Sequence, residues 1–179
     1  MGVGAAQDAA RGGYMSDGKV TIFTGSGHGK TPAALGMGLQ YASAGKKVVV
    51  IEFLKGKGLK NSDFIRRLEP DIKLFRFEKS TKPFSEMTEA ERSDDIVNMR
   101  NGLHFAGKVL DTGECDLLIM DEVLGLIDNK IIAVEDLQDL VSRRGETDVI
   151  LTGIAMDTRV CAFADEISEI RTVHFKNYK

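Results

Sequence analysis

Short apolar runs recur along the 179-residue chain, and segments with apolar residues at helical spacing separate them. Runs that are continuously apolar indicate strands covered on both faces of a sheet. The run at 72–77 alternates apolar and polar residues, which indicates a strand with one wetter face. The predicted strands are 20–24, 47–53, 72–77, 116–120, 148–152 and 166–174.

The segments between these runs have the signals of helices. Thr88 and Glu91 form a capping-box pair, after which apolar residues recur at helical spacing from Ile96 to Leu110. Strands that alternate with helices favour an α/β fold with a mainly parallel central sheet and right-handed crossovers. Besides the long helix, helices are predicted at 31–44 and 134–141, with a short one at 158–164.

Length and composition fit one globular domain, which we assign to residues 19–179. Residues 1–18 are rich in Gly and Ala and have no period, so we interpret them as a disordered leader or vector remnant. The net charge of −3 argues against nucleic-acid binding. The sequence has neither an apolar run of membrane-spanning length nor a secretory signal, and we expect a cytoplasmic protein without membrane contact.

A glycine-rich loop follows the first predicted strand and precedes the first predicted helix. Its glycines allow successive backbone N–H groups to surround phosphate oxygens, and the helix N-terminus adds partial positive charge. Lys30 would supply a charge to the phosphates, and the Thr31 hydroxyl would reach a bound magnesium ion. This pattern predicts a P-loop NTPase-like three-layer fold. The predicted ATP-binding residues are Thr24, Gly25, Ser26, Gly27, His28, Gly29, Lys30, Thr31 and Pro32.

Two acidic residues follow the predicted strand at 116–120. Ligands of open α/β sheets bind at the carboxyl ends of the strands, where Asp121 and Glu122 stand. A carboxylate there can hold magnesium directly or through water, so both are candidate metal ligands together with Thr31. A helix-capping or solvated acidic pair is the alternative. His28 either donates to a phosphate or projects into solvent, and lysines in the loop at 55–61 are candidates for handling anions.

With these residues in place, the chain resembles the ATP:corrinoid adenosyltransferase family of the BtuR/CobO type. That family's loop also has a non-glycine residue where Thr24 stands, ahead of a Gly-x-Gly-x-Gly-Lys-Thr run. The resemblance runs in order along most of the chain. Its segments are FTGSGHGKTPAALG (23–36), GKKVVVIEFLKG (45–56), DLLIMDEV (116–123), DVILTG (148–153) and ADEISEI (164–170).

The resemblance implies that a reduced corrinoid attacks the 5′ carbon of ATP and releases inorganic triphosphate. Lys30, Thr31, Asp121 and Glu122 then carry the catalytic roles. ATP and a corrinoid are the implied substrates, Mg²⁺ or Mn²⁺ the implied metal, and a homodimer and an electron-donating reductase the implied partners. Phe77 and Phe84, before the long helix, are the aromatic candidates for contact with the corrinoid.

Two departures from the family pattern keep an alternative open. The family's aromatic segment before the long helix is replaced by residues 77–80, and its Thr-Gly-Arg becomes Thr152-Gly153-Ile154. The alternative is a divergent P-loop ATP-binding protein, either a hydrolase or a non-enzymatic regulatory module, that has lost corrinoid chemistry.

Overall fold

A computed structural model describes residues 17–54, 67–77, 82–154, 157–174 and 176. Most of the predicted leader and the lysine-containing loop at 55–61 lie outside the described residues. The last leader residue, Gly18, is buried; its N–H donates to the Gly145 carbonyl at 2.6 Å, and its carbonyl accepts from Arg144 Nε at 2.5 Å. The ordered structure thus includes Gly18.

The strands form one six-stranded, wholly parallel sheet in the order β3-β2-β4-β5-β1-β6. Because β4, β5 and β1 are neighbours in a parallel sheet, their carboxyl ends lie side by side. Helix α1 begins at this same edge, where ligands of open α/β sheets bind. The strands are β1 (Val20–Thr24), β2 (Val48–Glu52), β3 (Ile72–Arg76), β4 (Leu117–Asp121), β5 (Asp148–Thr152) and β6 (Glu166–Glu169).

Helices cover both faces of the sheet, which gives three layers. One apolar cluster joins alternate strand residues to α1, and a larger one joins the other face to the remaining helices. Every residue of β1, β2 and β4 is buried, as continuously apolar strands between two helical layers require. The helices are α1 (Lys30–Ser43), α2 (Glu89–Thr112), α3 (Leu124–Asp128) and α4 (Val134–Ser142), with 3₁₀ turns at Phe84–Glu86 and Thr158–Phe163.

The capping box predicted for the long helix is present. The Glu91 N–H donates to the Thr88 hydroxyl at 3.3 Å, and the Glu91 carboxylate accepts from the Thr88 N–H at 2.8 Å. Met99, Ala106 and Leu110 from the predicted apolar stripe are buried in the larger cluster. These observations confirm the boundary and the orientation predicted for α2.

The structure differs from the predicted elements at three places. The strand predicted at 166–174 ends at Glu169, because Ile170 leaves the sheet to bond with the glycine-rich loop. Strand β4 extends to Asp121, so this carboxylate belongs to the strand and does not follow it. Helix α3 was not predicted, since its single turn is too short to display a helical period. Among the described residues, no helix combines the length and apolarity needed to span a membrane.

Candidate functional site

The glycine-rich loop connects β1 to α1 and is closed against residues beyond β6. The Gly27 N–H donates to the Ile170 carbonyl at 3.0 Å, and the Ile170 N–H donates to the Thr24 carbonyl at 2.8 Å. A Cβ atom at Gly25 would lie 2.4 Å from the Ile170 oxygen, and one at Gly27 would lie 2.8 Å from it. Glycine is therefore required at both positions by the close approach of another backbone segment.

The Lys30 side chain is buried inside this loop. Its Nζ donates to the Gly25 carbonyl at 2.7 Å and to the Gly27 carbonyl at 3.1 Å. These contacts hold the cation at the centre of the ring of backbone atoms, with only 7% of the residue exposed. An anion entering the loop meets a charge that is already in place, which reduces the ordering cost of binding.

The Thr31 hydroxyl joins the loop to the end of β4. It donates to both carboxylate oxygens of Asp121, at 3.0 and 2.9 Å. The hydroxyl of Thr152, at the end of β5, also donates to Asp121, at 2.5 Å. The Asp121 carboxylate is 1% exposed, so these hydroxyl groups compensate for part of its lost hydration.

Glu122 has a left-handed backbone conformation, with φ of 61°. Such a φ is uncommon for a residue with a Cβ and marks a functional or strained position. The Glu122 N–H donates to the Thr152 hydroxyl at 2.8 Å. Glu122 lines a cavity of about 420 Å³ together with the end of the glycine-rich loop and the first turn of α1, residues 27–32.

A second buried carboxylate, that of Glu52, lies beside Asp121. Glu52 ends β2, its backbone pairs in register with Asp121 and with Arg76, and its side chain is fully buried. The Arg76 Nε lies 2.6 Å from Glu52 Oε2. Sequence reasoning did not select Glu52, although a single acidic residue near the end of an otherwise apolar strand was the available signal.

The carboxyl edge of the sheet thus contains a row of polar side chains on the face covered by α1. In strand order they are Arg76, Glu52, Asp121 and Thr152. Within this row, Asp121 is joined to the start of α1 through the Thr31 hydroxyl. Among the described residues, no group of three His, Cys, Asp or Glu side chains could hold a metal ion. Any cation here would need oxygen ligands from Thr31 and from a bound anion as well.

The other predicted site residues lie around this centre. Ser26, His28 and Pro32 are exposed at the rim of the loop. Phe77 is half-buried, with its ring 5.6 Å from that of Phe105 in α2. Phe84 is half-buried under the Arg92 guanidinium, 5.5 Å from the ring centre. Both phenylalanines pack against the larger core cluster, and their contact with a corrinoid stays a prediction.

Fold and site together define a P-loop NTPase-like protein of the α/β class. The family model described as ATP:corrinoid adenosyltransferase BtuR/CobO/CobP matches residues 16–178. The chain belongs to this family, which confirms the resemblance found in the sequence and identifies the chain as a transferase. The reading as a hydrolase or non-enzymatic module is not favoured.

Individual relatives agree with this assignment. The chain is 31% identical over 160 residues to a corrinoid adenosyltransferase of Escherichia coli (strain K12), covering 87% of this chain and 78% of that protein. It is 29% identical to corrinoid adenosyltransferase CobA of Salmonella typhimurium (strain LT2), with the same coverage of each chain. A KaiC-like protein, PH0186 from Pyrococcus horikoshii OT3, shares the fold, with a TM-score of 0.54 and 16% identity over 89% of this chain and 76% of that one.

Proposed function

We propose that this protein moves the 5′-deoxyadenosyl group of ATP to a reduced corrinoid and releases inorganic triphosphate. A bond forms between cobalt(I) and the 5′ carbon, and the bond from that carbon to the triphosphate oxygen breaks. The electron pair for the new bond comes from cobalt, so no proton has to be removed from the nucleophile. The chain must supply a held leaving group, an aligned 5′ carbon and exclusion of water.

The glycine-rich loop supports the first of these roles. Backbone N–H groups at the N-terminus of α1 and the buried Lys30 ammonium group would hold the triphosphate, and they would stabilise the charge that it gains on departure. In this reaction the loop binds the entire leaving group and does not promote transfer of a phosphoryl group. The single observation that carries the proposal is Lys30 Nζ held by the Gly25 and Gly27 carbonyls, while the hydroxyl of the next residue, Thr31, donates to Asp121.

The residues at the carboxyl edge fit a hard divalent cation. Thr31 and Asp121 bring a hydroxyl oxygen within 3.0 Å of a buried carboxylate, and Glu122 adds a half-buried carboxylate at the cavity. Oxygen donors of this kind suit Mg²⁺ or Mn²⁺. When bound, the metal would neutralise triphosphate charge; Thr31, Asp121 and Glu122 would hold it in place.

The aromatic side chains predicted from the sequence are candidates for shielding the reaction from water. Phe77 follows β3 at the carboxyl edge of the sheet, and Phe84 lies shortly before α2. We propose that exposed parts of these rings contact the corrinoid. Ile154, which is 62% exposed, stands where the family has an arginine, so apolar contact would replace a charged one there.

Phosphorus NMR of a reaction with ATP, magnesium and chemically reduced corrinoid tests the proposal. Adenosyl transfer yields inorganic triphosphate in proportion to adenosylated corrinoid, whose visible spectrum gives an independent measure of product. Release of ADP with or without corrinoid would identify a hydrolase. Intact ATP in the presence of fully reduced corrinoid would identify a binding module.

We further propose that the protein acts in the cytoplasm as a homodimer and receives reduced corrinoid from a reductase, as the resemblance implies. We also propose that residues preceding the domain are dispensable. Because Gly18 is hydrogen-bonded to the domain, shortening should keep it: a chain that begins at Met15 should retain its melting temperature and ATP affinity. A clear loss of either would show that the removed residues stabilise the domain.

A further inference from the structure

The Thr152 hydroxyl bridges the two acidic residues of the candidate metal site. It donates to the Asp121 carboxylate at 2.5 Å and accepts from the Glu122 N–H at 2.8 Å. Thr152 is fully buried at the end of β5. Its two partners belong to β4 and to the residue that follows it, so one side chain from a neighbouring strand contacts both.

The chemistry of the bridge permits one arrangement of protons. An ionised carboxylate only accepts hydrogen bonds, and a backbone N–H only donates them. A hydroxyl has one proton and two lone pairs, so it satisfies both partners at once. Valine has nearly the same shape and satisfies neither, whereas serine retains the hydroxyl.

The bridge also holds Glu122 in its unusual backbone conformation. With φ at 61°, Glu122 lies in the turn between β4 and α3 and lines the cavity beside the loop. The next residue after Thr152 contributes to the same packing: a Cβ at Gly153 would lie 2.4 Å from Leu124 Cβ, at the start of α3. The end of β5 and the turn after β4 are therefore fitted to each other.

We infer that Thr152 is a positioning residue for the metal site, acting through Asp121 and Glu122 without touching the metal or the nucleotide. The inference rests on the proposed function, because it assigns the two carboxylates to a metal–triphosphate complex. Hydrogen-bonding partners behind a metal ligand set its orientation, and their loss typically lowers metal affinity by about 10- to 100-fold.

Calorimetric titration with ATP, in magnesium and separately in EDTA, measures the gain in affinity that the metal gives. We expect Thr152→Val to reduce this gain about 10-fold and to leave the metal-free ATP affinity within about twofold. Thr152→Ser should retain the gain. Thr147→Val is the matched control, because Thr147 is also buried at 5% exposure but donates to the Cys115 carbonyl at the opposite edge of the sheet.

Hydrogen exchange of the Glu122 amide supplies a readout that needs no metal. Loss of its acceptor in Thr152→Val should speed this exchange at least about 10-fold, while the Asp148 amide at the opposite edge exchanges as before. The inference would be overturned if Thr152→Val kept the full increase in ATP affinity on adding magnesium, or if its Glu122 amide exchanged at the original rate. It would also be overturned if Thr147→Val lost as much of that increase as Thr152→Val. If magnesium does not increase the ATP affinity of the unsubstituted protein, the proposed metal site is wrong and this inference falls with it.

Discussion

Asp116 directly precedes β4 and Asp121 ends it, yet the two carboxylates have different partners. At the amino edge, Asp116 is exposed and accepts from the Lys47 N–H at 2.8 Å. At the carboxyl edge, Asp121 is buried and accepts from the hydroxyl groups of Thr31 and Thr152. One carboxylate completes the backbone bonding of a neighbouring strand, and the other is held by side chains.

Other carboxylates repeat this division between the edges. Asp148 accepts from the Lys19 N–H at 2.6 Å, and Asp165 accepts from the Val20 N–H at 2.7 Å, both at the amino edge. At the carboxyl edge, Glu52 is paired with the Arg76 guanidinium. These carboxylates at the amino edge therefore accept from backbone N–H groups, whereas those at the carboxyl edge are paired with side chains. The carboxyl edge is also where ligands of open parallel sheets bind.

The largest expected effect distinguishes Asp121, at the carboxyl end of β4, from Asp116, which precedes the strand. Asp121→Asn removes a buried charge from the candidate metal site, and we expect at least about 100-fold slower product formation at limiting magnesium. Asp116→Asn keeps an oxygen that can accept from Lys47 N–H, so its rate should stay within about twofold. Rates measured across a magnesium titration test this difference. Equal rates in the two variants would remove the functional distinction between the edges.

Lys30→Ala should weaken ATP binding by about 10- to 100-fold, because a hydrogen bond to a charged group is worth about 1.5–3 kcal/mol. The variant also loses contacts with two loop carbonyls, so its melting temperature should be recorded together with the calorimetric affinity. Lys47→Ala, at the amino edge, is the control and should bind ATP normally. Unchanged affinity in Lys30→Ala would exclude the loop from the nucleotide site.

Glu52→Gln should lower the free energy of unfolding by roughly 1–2 kcal/mol. Loss of one partner from a wholly buried ion pair costs about 3–5 kcal/mol, and the effect here is smaller because Arg76 is 26% exposed and Gln retains the shape. Glu166→Gln removes an exposed partner of Lys19 and should leave the urea midpoint unchanged. Similar urea midpoints in both variants would show that the buried Glu52–Arg76 pair contributes no more to stability than the exposed Lys19–Glu166 pair.

The smallest effect concerns Tyr41, whose hydroxyl donates to Asp148 at the amino edge. Burial, followed by this hydrogen bond, raises the pKa of Tyr41 to about 12. The folded state therefore favours the neutral phenol, and the stability that this gives is present below about pH 10 and is lost as the pH rises toward 12. Tyrosinate absorbance should show a component near pH 12 that Tyr41→Phe lacks. If the titrations of the unsubstituted protein and Tyr41→Phe differ only near pH 10, the contact between Tyr41 and Asp148 is contradicted.

Local signals made part of this site predictable. Residues 25–29 form one contiguous loop, rich in glycine, between the strand that ends at Thr24 and the helix that begins at Lys30. Asp121 and Glu122 could be predicted as site residues because they stand where an apolar run of the sequence ends. The capping box at Thr88 likewise depends on residues three positions apart. Each prediction needed only a short window of sequence.

Contacts between distant strands were not predictable in this way. Thr152 and Glu52 reach Asp121 only because β5 and β2 are the two neighbours of β4, and alternation of strands and helices does not determine that order. Ile170 was included in a predicted strand because its apolar side chain continued the run. In the structure its backbone bonds with the loop, a role set by tertiary packing.

The position of β1 between β5 and β6 has a consequence for synthesis of the protein on the ribosome. The Lys19 N–H bonds with a residue 129 positions later, which corresponds to roughly 6–26 s of elongation at about 5–20 residues per second. During that time β1 lacks both of its neighbouring strands, β5 and β6, so other parts of the chain must shield its apolar residues from water. The Gly27–Ile170 bond forms later still. A nascent chain that has not reached residue 170 therefore lacks a backbone partner of its glycine-rich loop, and the loop cannot close in the way seen here until that residue has been added.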